Sequence, residues 1–218
     1  MRQRRRSART THAPRKGELR REEILAAATA IFAEHGYERA SIEIICAAIG
    51  IARGTLYQYF ADKKALFREI LEVHADRILE HMRPFDTLGL ETPRDRATIE
   101  FLLAERIRRI YETAAGDRHA YRILFGEALA KHADAEDLLR RFDAAFRDAM
   151  AHELRAVAQV GIARVEDPEF MANFTLGAVL KTAQTYLFDA DVPADPTALA
   201  QRTTALIARL LFFETATA

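Results

Sequence analysis

The chain of 218 residues has no net charge at pH 7, because 32 Lys and Arg balance 32 Asp and Glu, and Cys46 is its single cysteine. This length is enough for one large domain or two modest ones. One cysteine excludes the disulfide framework of small secreted proteins, and no apolar run reaches the roughly 18 residues of a membrane span. The N-terminus lacks the apolar segment of a signal peptide, although its arginine-rich composition also suits a transit peptide. We expect a cytoplasmic protein.

The neutral total conceals an uneven distribution of charge. Residues 1–64 contain 13 Lys and Arg against 7 Asp and Glu, a net charge of +6, and residues 65–218 carry −6. A basic N-terminal region joined to an acidic C-terminal region predicts that only the N-terminal region approaches a polyanion such as nucleic acid. The alternative is that the basic residues form no more than a solvated arm.

The first 17 residues differ in composition from the rest of the chain. They contain many arginines, few large apolar groups, and Pro14 and Gly17, which is typical of a disordered basic arm. From Glu18 onward, apolar residues recur at the spacing of one face of a helix, and Gly36 is predicted to end this first helix. That apolar face comprises Ile24, Leu25, Ala28, Ile31 and Phe32.

Two short helices are predicted next. Ser41 is a good N-cap for the second helix, and Gly50 supplies the backbone freedom of a tight turn. The third helix is predicted to run for about seven residues from Ala52. Three short helices, with a turn containing Gly between the second and third, are typical of a helix-turn-helix motif. Such a motif places its third helix in the major groove of DNA, which is about 12 Å wide.

The segment around the third helix, GIARGTLYQYF, is rich in rings and hydroxyl groups. Leu56 and Phe60 are predicted to face the core. The side chains left to face the groove and its phosphates are Arg53, Thr55, Tyr57 and Tyr59. The alternative is an ordinary amphipathic helix whose polar side meets only water.

Helical patterns continue through the rest of the sequence. Asp62 can cap a fourth helix that extends to Pro84, and Asp167 with Pro168 can open a later one. Further helices are predicted at about 94–115, 118–132 and 135–160, followed by a last one that contains ALIARLLFF. We therefore predict an all-α fold of about nine helices.

The last two predicted helices are apolar on nearly every side, so each must be covered all round. In a chain of this size they would lie at an edge, and a second subunit is the natural cover. We therefore predict a homodimer. The residues assigned to its interface are Phe170, Phe174, Ala178, Thr185, Leu206, Leu210 and Phe213.

Rings and polar groups of the central helices can line a largely apolar cavity, the common form of a small-molecule site. The candidate effector-binding residues are His74, Phe101, Tyr111, Tyr121, Phe125, Phe142, Phe146 and Met150. The alternative is that these residues form ordinary core. Because no Lys or Arg cluster marks this region, we expect an apolar or aromatic effector rather than a strongly anionic one.

The sequence contains no Gly-rich phosphate loop, nucleophile elbow or HExxH pattern. His74 and His81 are seven residues apart on one helix face, but a metal would need further ligands and no cysteine is near. Asp117, His119 and Tyr121 at a helix start are accounted for by capping and exposure to water. We expect no catalytic residues, no metal and no cofactor. The rival interpretation is a helical enzyme with a vestigial front domain.

The stretch from Ile24 to Leu71 resembles the N-terminal domain of the TetR family of bacterial transcriptional regulators. The matching segments are AAATAIFAEHGY, SIEIICAAIG, GTLYQYF and DKKALF, in that family's order and spacing. The resemblance implies a nucleoid-associated homodimer that binds a near-palindromic double-stranded operator through a domain at residues 18–64. It also implies that residues 65–218 bind a small effector and dimerise.

The family's DNA contacts carry over residue by residue. Ser41 matches a hydroxyl that contacts phosphate, and Arg53 and Gly54 match positions beside base edges. Lys63 matches a lysine that binds phosphate at the start of the fourth helix, where the helix terminus also favours an anion. The positions that contact phosphate or thymine methyl groups are matched by Thr55, Tyr57 and Tyr59.

Several positions depart from the family pattern. Ala52 stands where Ser is preferred, so the recognition helix lacks its usual cap, at a cost of about 1 kcal/mol. Lys64 replaces Glu and adds positive charge beside the phosphate. Ile44 replaces a polar residue, and Cys46 and Ile49 replace small ones. These differences bear on the operator sequence rather than on the class of protein.

The resulting hypothesis is a repressor that leaves its operator when an effector stabilises a second arrangement of the dimer. An activator or a binder without operator preference remains an alternative. The basic arm either reaches an adjacent A·T-rich minor groove or adds only sequence-independent affinity.

Overall fold

The computed structural model describes residues 16–83, 95–125, 133–163 and 165–212. Within these ranges every regular element is a helix, so the predicted all-α fold is confirmed. The helices are α1 (Lys16–Arg39), α2 (Ile42–Ile49), α3 (Arg53–Tyr57), α4 (Lys63–His81), α5 (Arg96–Gly116), α6 (Arg118–Phe125), α7 (Ala133–Gln159), α8 (Pro168–Ala183) and α9 (Pro196–Leu211), with a π-helical turn at Gln184–Phe188 after α8.

The N-terminal helices follow the predicted pattern, with one difference at the start. Helix α1 begins at Lys16 and so includes Gly17, which the sequence assigned to the arm. Gly36, with φ 76° and ψ 162°, interrupts the helical backbone where the first helix was expected to end. Gly50 adopts the left-handed conformation (φ 66°, ψ 37°) and closes α2. A residue with a Cβ is strained in this conformation, so Gly50 makes the turn possible.

Four aspartates cap the N-termini of the longer helices. The side chains of Asp62, Asp95, Asp167 and Asp195 accept hydrogen bonds from backbone N–H groups three residues later, at 2.6, 2.7, 2.9 and 2.7 Å. Each bond satisfies a donor that the helix itself leaves unpaired. The caps predicted at Asp62 and Asp167 are therefore confirmed.

Helix α4 connects α1–α3, here called the head, with α5–α9, here called the body. Its buried side includes Leu66, Ile70, Leu71 and Ile78, and the helix packs against α1, α5, α6 and α7. In the body, α5 packs against α9 and α7 packs against α8. A displacement of α4 would thus change the packing in both parts of the chain. Among the described helices, none is both long and apolar enough to cross a membrane.

A buried ion pair that the sequence did not indicate ties α5 to α7. Arg106 and Glu153 are 7% and 8% exposed, and Nη2 of Arg106 donates to Oε1 of Glu153 at 2.8 Å. Arg106 also donates to the carbonyl oxygen of Arg83, after the end of α4. The guanidinium group thus joins three segments at one end of the body.

Candidate nucleic-acid interface

The recognition helix α3 is anchored by its inner side. Leu56 is fully buried and Phe60 is 3% exposed, as predicted. In α2, Ile45 and Cys46 are buried in the same core, and burial raises the pKa of the Cys46 thiol. Because α3 is short and Ala52 provides no side-chain cap, this packing is what holds the helix in place.

The outer side of α3 carries the predicted DNA-binding residues. Arg53, Gly54 and Tyr57 are exposed, and Tyr57 is half exposed despite its large ring. A Cβ added at Gly54 would meet no atom within 4 Å, so the backbone here is open to close approach. Thr55 is half-buried, and Tyr59 is half-buried against the core. Tyr59 therefore faces outward less than the sequence suggested.

Arg53 pairs with an acidic residue that no sequence motif indicated. Its Nη1 donates to Oε1 of Glu43 on α2 at 2.6 Å. Hydrogen bonds from its own backbone amide and from Arg53 hold the pKa of Glu43 below its usual range, and the same pair raises the pKa of Arg53. The two residues are ten positions apart on different helices. The only sequence signal for their contact was therefore the opposite charge of the two side chains.

The lysines at the start of α4 lie in different environments. Nζ of Lys63 donates to the carbonyl oxygens of Tyr37 and Ala40 at 2.9 and 3.0 Å and lies 4.3 Å from the centre of the Tyr37 ring. Two of its three N–H donors thus hold the end of α1, while the neighbouring Lys64 is exposed. Ser41 accepts from the backbone N–H of Ile44 at 3.3 Å, and its side chain is also hydrogen-bonded to the Glu43 carboxylate.

Most of the candidate effector residues are buried together in the body, with one clear exception. Phe101 is 66% exposed on α5, so its assignment to an interior cavity is corrected, because the ring falls on the outer face of its helix. The side chain of Phe125 lies outside the described part of the chain. The buried members are His74, Tyr111, Tyr121, Phe142, Phe146 and Met150.

Polar contacts made by His74, Tyr111 and Tyr121 organise this interior. The Tyr121 hydroxyl donates to the backbone carbonyl oxygen of His74 at 3.2 Å, and Nε2 of His74 lies 3.5 Å from Oδ2 of Asp117. Burial lowers the pKa of His74, with Asp117 opposing this effect, and burial raises the pKa of Tyr121. Tyr111 instead donates to the carbonyl oxygen of Val179 at 3.3 Å and lies near Thr203. His74 and Tyr121 thus link α4 to α6, whereas Tyr111 links α5 to α8 and α9.

Two cavities contact these candidates. One of about 510 Å³ lies between α1, α4 and the start of α6 and is lined by His74 and Asp117. A smaller one of about 40 Å³ is lined by Met150 and by the Arg106–Glu153 pair. The first is large enough for a small organic molecule, and the second has a volume of about one water molecule. Across the described ranges, no group of three His, Cys, Asp or Glu side chains could hold a metal ion.

An apolar surface covers the outside of α8 and α9. Phe170 and Leu206 are 66% and 63% exposed, and Phe174 and Leu210 are each 47% exposed. Of the other predicted interface residues, Thr185 is exposed and Ala178 is half-buried, while Phe213 lies outside the described residues. A groove of about 590 Å³ runs along this surface between the two helices. Large exposed apolar side chains on adjacent helices are typical of a surface that a partner covers.

A helix-turn-helix head with exposed recognition residues and a helical body with an apolar outer face define a class of DNA-binding regulator. Residues 24–70 match the family model described as bacterial regulatory proteins, tetR family. The N-terminal domain therefore belongs to the TetR family, which confirms the resemblance seen in the sequence.

Curated relatives match over part of the chain. The repressor AcnR of Corynebacterium diphtheriae is 40% identical over 62 residues, 28% of this chain and 33% of that protein. The activator FasR of Mycolicibacterium smegmatis is 27% identical over 106 residues, 49% of this chain and 45% of that protein. The regulator UidR of Escherichia coli K12 is 41% identical over 63 residues, 29% of this chain and 32% of that protein. The chain thus spans less than half the length of these relatives.

Solved structures resemble most of the chain. A TetR-family regulator from Syntrophomonas wolfei has a TM-score of 0.72 at 18% identity, covering 93% of this chain and 99% of its own. FadR of Bacillus subtilis, solved in complex with stearoyl-CoA, has a TM-score of 0.70 at 21% identity, covering 86% of this chain and 97% of its own. At these identities the likeness establishes the fold, and that fold is the one seen in TetR-family regulators.

Proposed function

We propose that the protein is a transcriptional regulator that binds a specific DNA operator and represses the adjacent genes. The observation that carries this proposal is the two-sided α3, which buries Leu56 while Arg53 and Tyr57 remain exposed. A helix held in this way presents a fixed set of donors and a ring to the major groove. Relatives named as a repressor and as an activator both match part of this chain, so activation is the alternative output.

We further propose a homodimer formed through the outer faces of α8 and α9. The exposed side chains of Phe170, Phe174, Leu206 and Leu210 supply an apolar surface that two copies would bury isologously. A two-fold dimer presents two recognition helices to half-sites one turn of DNA apart, about 34–36 Å. This geometry favours a near-palindromic operator.

The proposed effector is a small apolar or aromatic molecule that binds the body. Support comes from the buried rings around His74 and Tyr121 on α4 and α6. Helix α4 offers the route for coupling, since Lys63 at its start holds the head and His74 contacts α6. The coupling equals the effector's difference in affinity for the two arrangements, typically 1–3 kcal/mol.

The first experiment is binding of fluorescently labelled DNA, followed by anisotropy at about 0.15 M salt. One duplex is the intergenic DNA beside the protein's own gene, and the control is a scrambled duplex of equal length. A preference of about a hundredfold or more for the native fragment is expected of a specific regulator. If neither the native fragment nor any fragment selected from the genome bound more tightly than the scrambled duplex, operator recognition would be contradicted. A screen in which only phosphorylated or polycarboxylate compounds raised the Tm would contradict the apolar effector.

A further inference from the structure

We propose that Glu43 is a positioning residue for Arg53, and that it increases discrimination between DNA sequences while weakening binding to DNA in general. This inference rests on the proposed function. Nη1 of Arg53, at the first position of α3, donates to Oε1 of Glu43, at the second position of α2, at 2.6 Å. The pair therefore bridges the two helices of the motif.

The pair lies on the surface rather than in the core. The side chains of Arg53 and Glu43 are 64% and 59% exposed, and the exposed Gly54 is adjacent to Arg53 in α3. Ser41, whose side chain is hydrogen-bonded to the Glu43 carboxylate, is two positions before Glu43. Both members of the pair thus lie among the residues proposed to contact DNA. A contact this exposed adds little to the stability of the fold, so its consequence falls on DNA binding.

A carboxylate at this position repels phosphate and lowers affinity for every duplex, whatever its sequence. It also limits what Arg53 can do. A free arginine on a DNA-facing surface pairs with any nearby phosphate and then contributes no sequence information. With one N–H held by Glu43, the remaining donors of the rigid guanidinium fork keep one orientation.

That orientation favours acceptors arranged in a plane, such as O6 and N7 of guanine, over phosphates. Glu43 thus has two effects on Arg53. It keeps the guanidinium group from pairing with DNA phosphates, and it fixes the direction from which that group approaches a base. The expected consequence is weaker binding to random DNA and a higher ratio between operator and random DNA.

The test compares wild-type protein with Glu43→Gln on the operator fragment and on a scrambled duplex, across a range of salt concentrations. The variant should bind the scrambled duplex roughly 3- to 10-fold more tightly, with a slope of log K against log salt steeper by about one charge. Its preference for the operator should fall by about tenfold. The matched control is Glu100→Gln, which removes a carboxylate paired with Arg96 in the body and should change neither quantity.

Arg53→Ala separates positioning from simple repulsion. In the Arg53→Ala background, Glu43→Gln should still strengthen binding to both duplexes, because a negative charge is removed, but should leave their ratio unchanged. Suppose that wild-type protein prefers the operator, and that Glu43→Gln either keeps the full ratio of operator to scrambled affinity or weakens binding to both duplexes equally. The role of Glu43 is then overturned, while the proposed function stands. If wild-type protein shows no preference for any fragment, the proposed function fails and the role of Glu43 fails with it.

Discussion

Lys63 on the first turn of α4 donates a hydrogen bond to the carbonyl oxygen of Tyr37 and lies over the Tyr37 ring at 4.3 Å. The residue that the family resemblance assigns to a phosphate contact therefore also holds the end of α1 against α4. The ammonium group retains one N–H for DNA. Lys63 therefore fixes the end of α1, in the head, to the start of α4, which runs into the body.

We predict that Lys63→Ala lowers both the stability of the protein and its affinity for all DNA, operator or random. Stability falls because two backbone carbonyl oxygens lose a charged donor, an effect of about 1–2 kcal/mol for a half-buried group. Lys64→Ala, at the exposed neighbouring position, should weaken DNA binding without changing the Tm. Thermal unfolding and anisotropy on both duplexes measure the two effects. Equal Tm values for the two variants would show that the Lys63 contacts do not stabilise the head.

The buried Arg106–Glu153 pair gives a prediction about stability alone. Arg106→Met should lower the free energy of unfolding by about 3–5 kcal/mol, because Glu153 is left buried without its partner. The double variant Arg106→Met/Glu153→Leu should recover most of this loss, because two apolar side chains of similar volume leave no charge buried without a partner. Denaturant unfolding of the two single variants and the double variant measures the difference. If the free energy of unfolding of the double variant fell by the sum of the losses in the two single variants, this account would be contradicted.

The buried His74 predicts that stability falls under mildly acidic conditions. Burial lowers the pKa of His74 in the folded state, and burial also lowers the pKa of His81. The unfolded chain therefore binds more protons, so stability is lost as pH falls through the ordinary histidine pKa of about 6.5. His74→Gln should show a smaller decrease in Tm between pH 7.5 and 5.5 than wild-type protein. His152→Gln, at an exposed position of α7, is the control, and identical pH profiles for all three proteins would contradict the assignment.

The apolar surface of α8 and α9 predicts the effect of a single charge on assembly. Leu206→Glu should convert the proposed dimer into a folded monomer, because Leu206 is 63% exposed and its substitution places a carboxylate in an interface that excludes water. Operator affinity should fall by at least about tenfold with the loss of the second half-site. Sedimentation measures the mass, and Val192→Glu, at an 85% exposed loop position, is the control. A Leu206→Glu protein that sediments like the Val192→Glu protein would place the interface elsewhere.

Much of the fold could be predicted because it follows from local rules. Asp62 and Asp167 cap their helices, Gly50 takes a left-handed conformation, and Leu56 and Phe60 face inward. Each of these features depends on residues within a turn or two of chain, where spacing and backbone preference act directly. The order of helices and the side of α3 that faces outward were therefore readable from the residues.

The contacts that only the tertiary structure decided join residues on different helices. Glu43 meets Arg53 across a turn, and Arg106 meets Glu153 across 47 residues. Phe101 lies on the outer face of α5, although its ring suggested the interior. A helical pattern says which residues share a face, but the angle and offset at which helices cross decide what that face meets. Local preference thus specifies the elements of this protein, and packing between them specifies the partners of its charged groups.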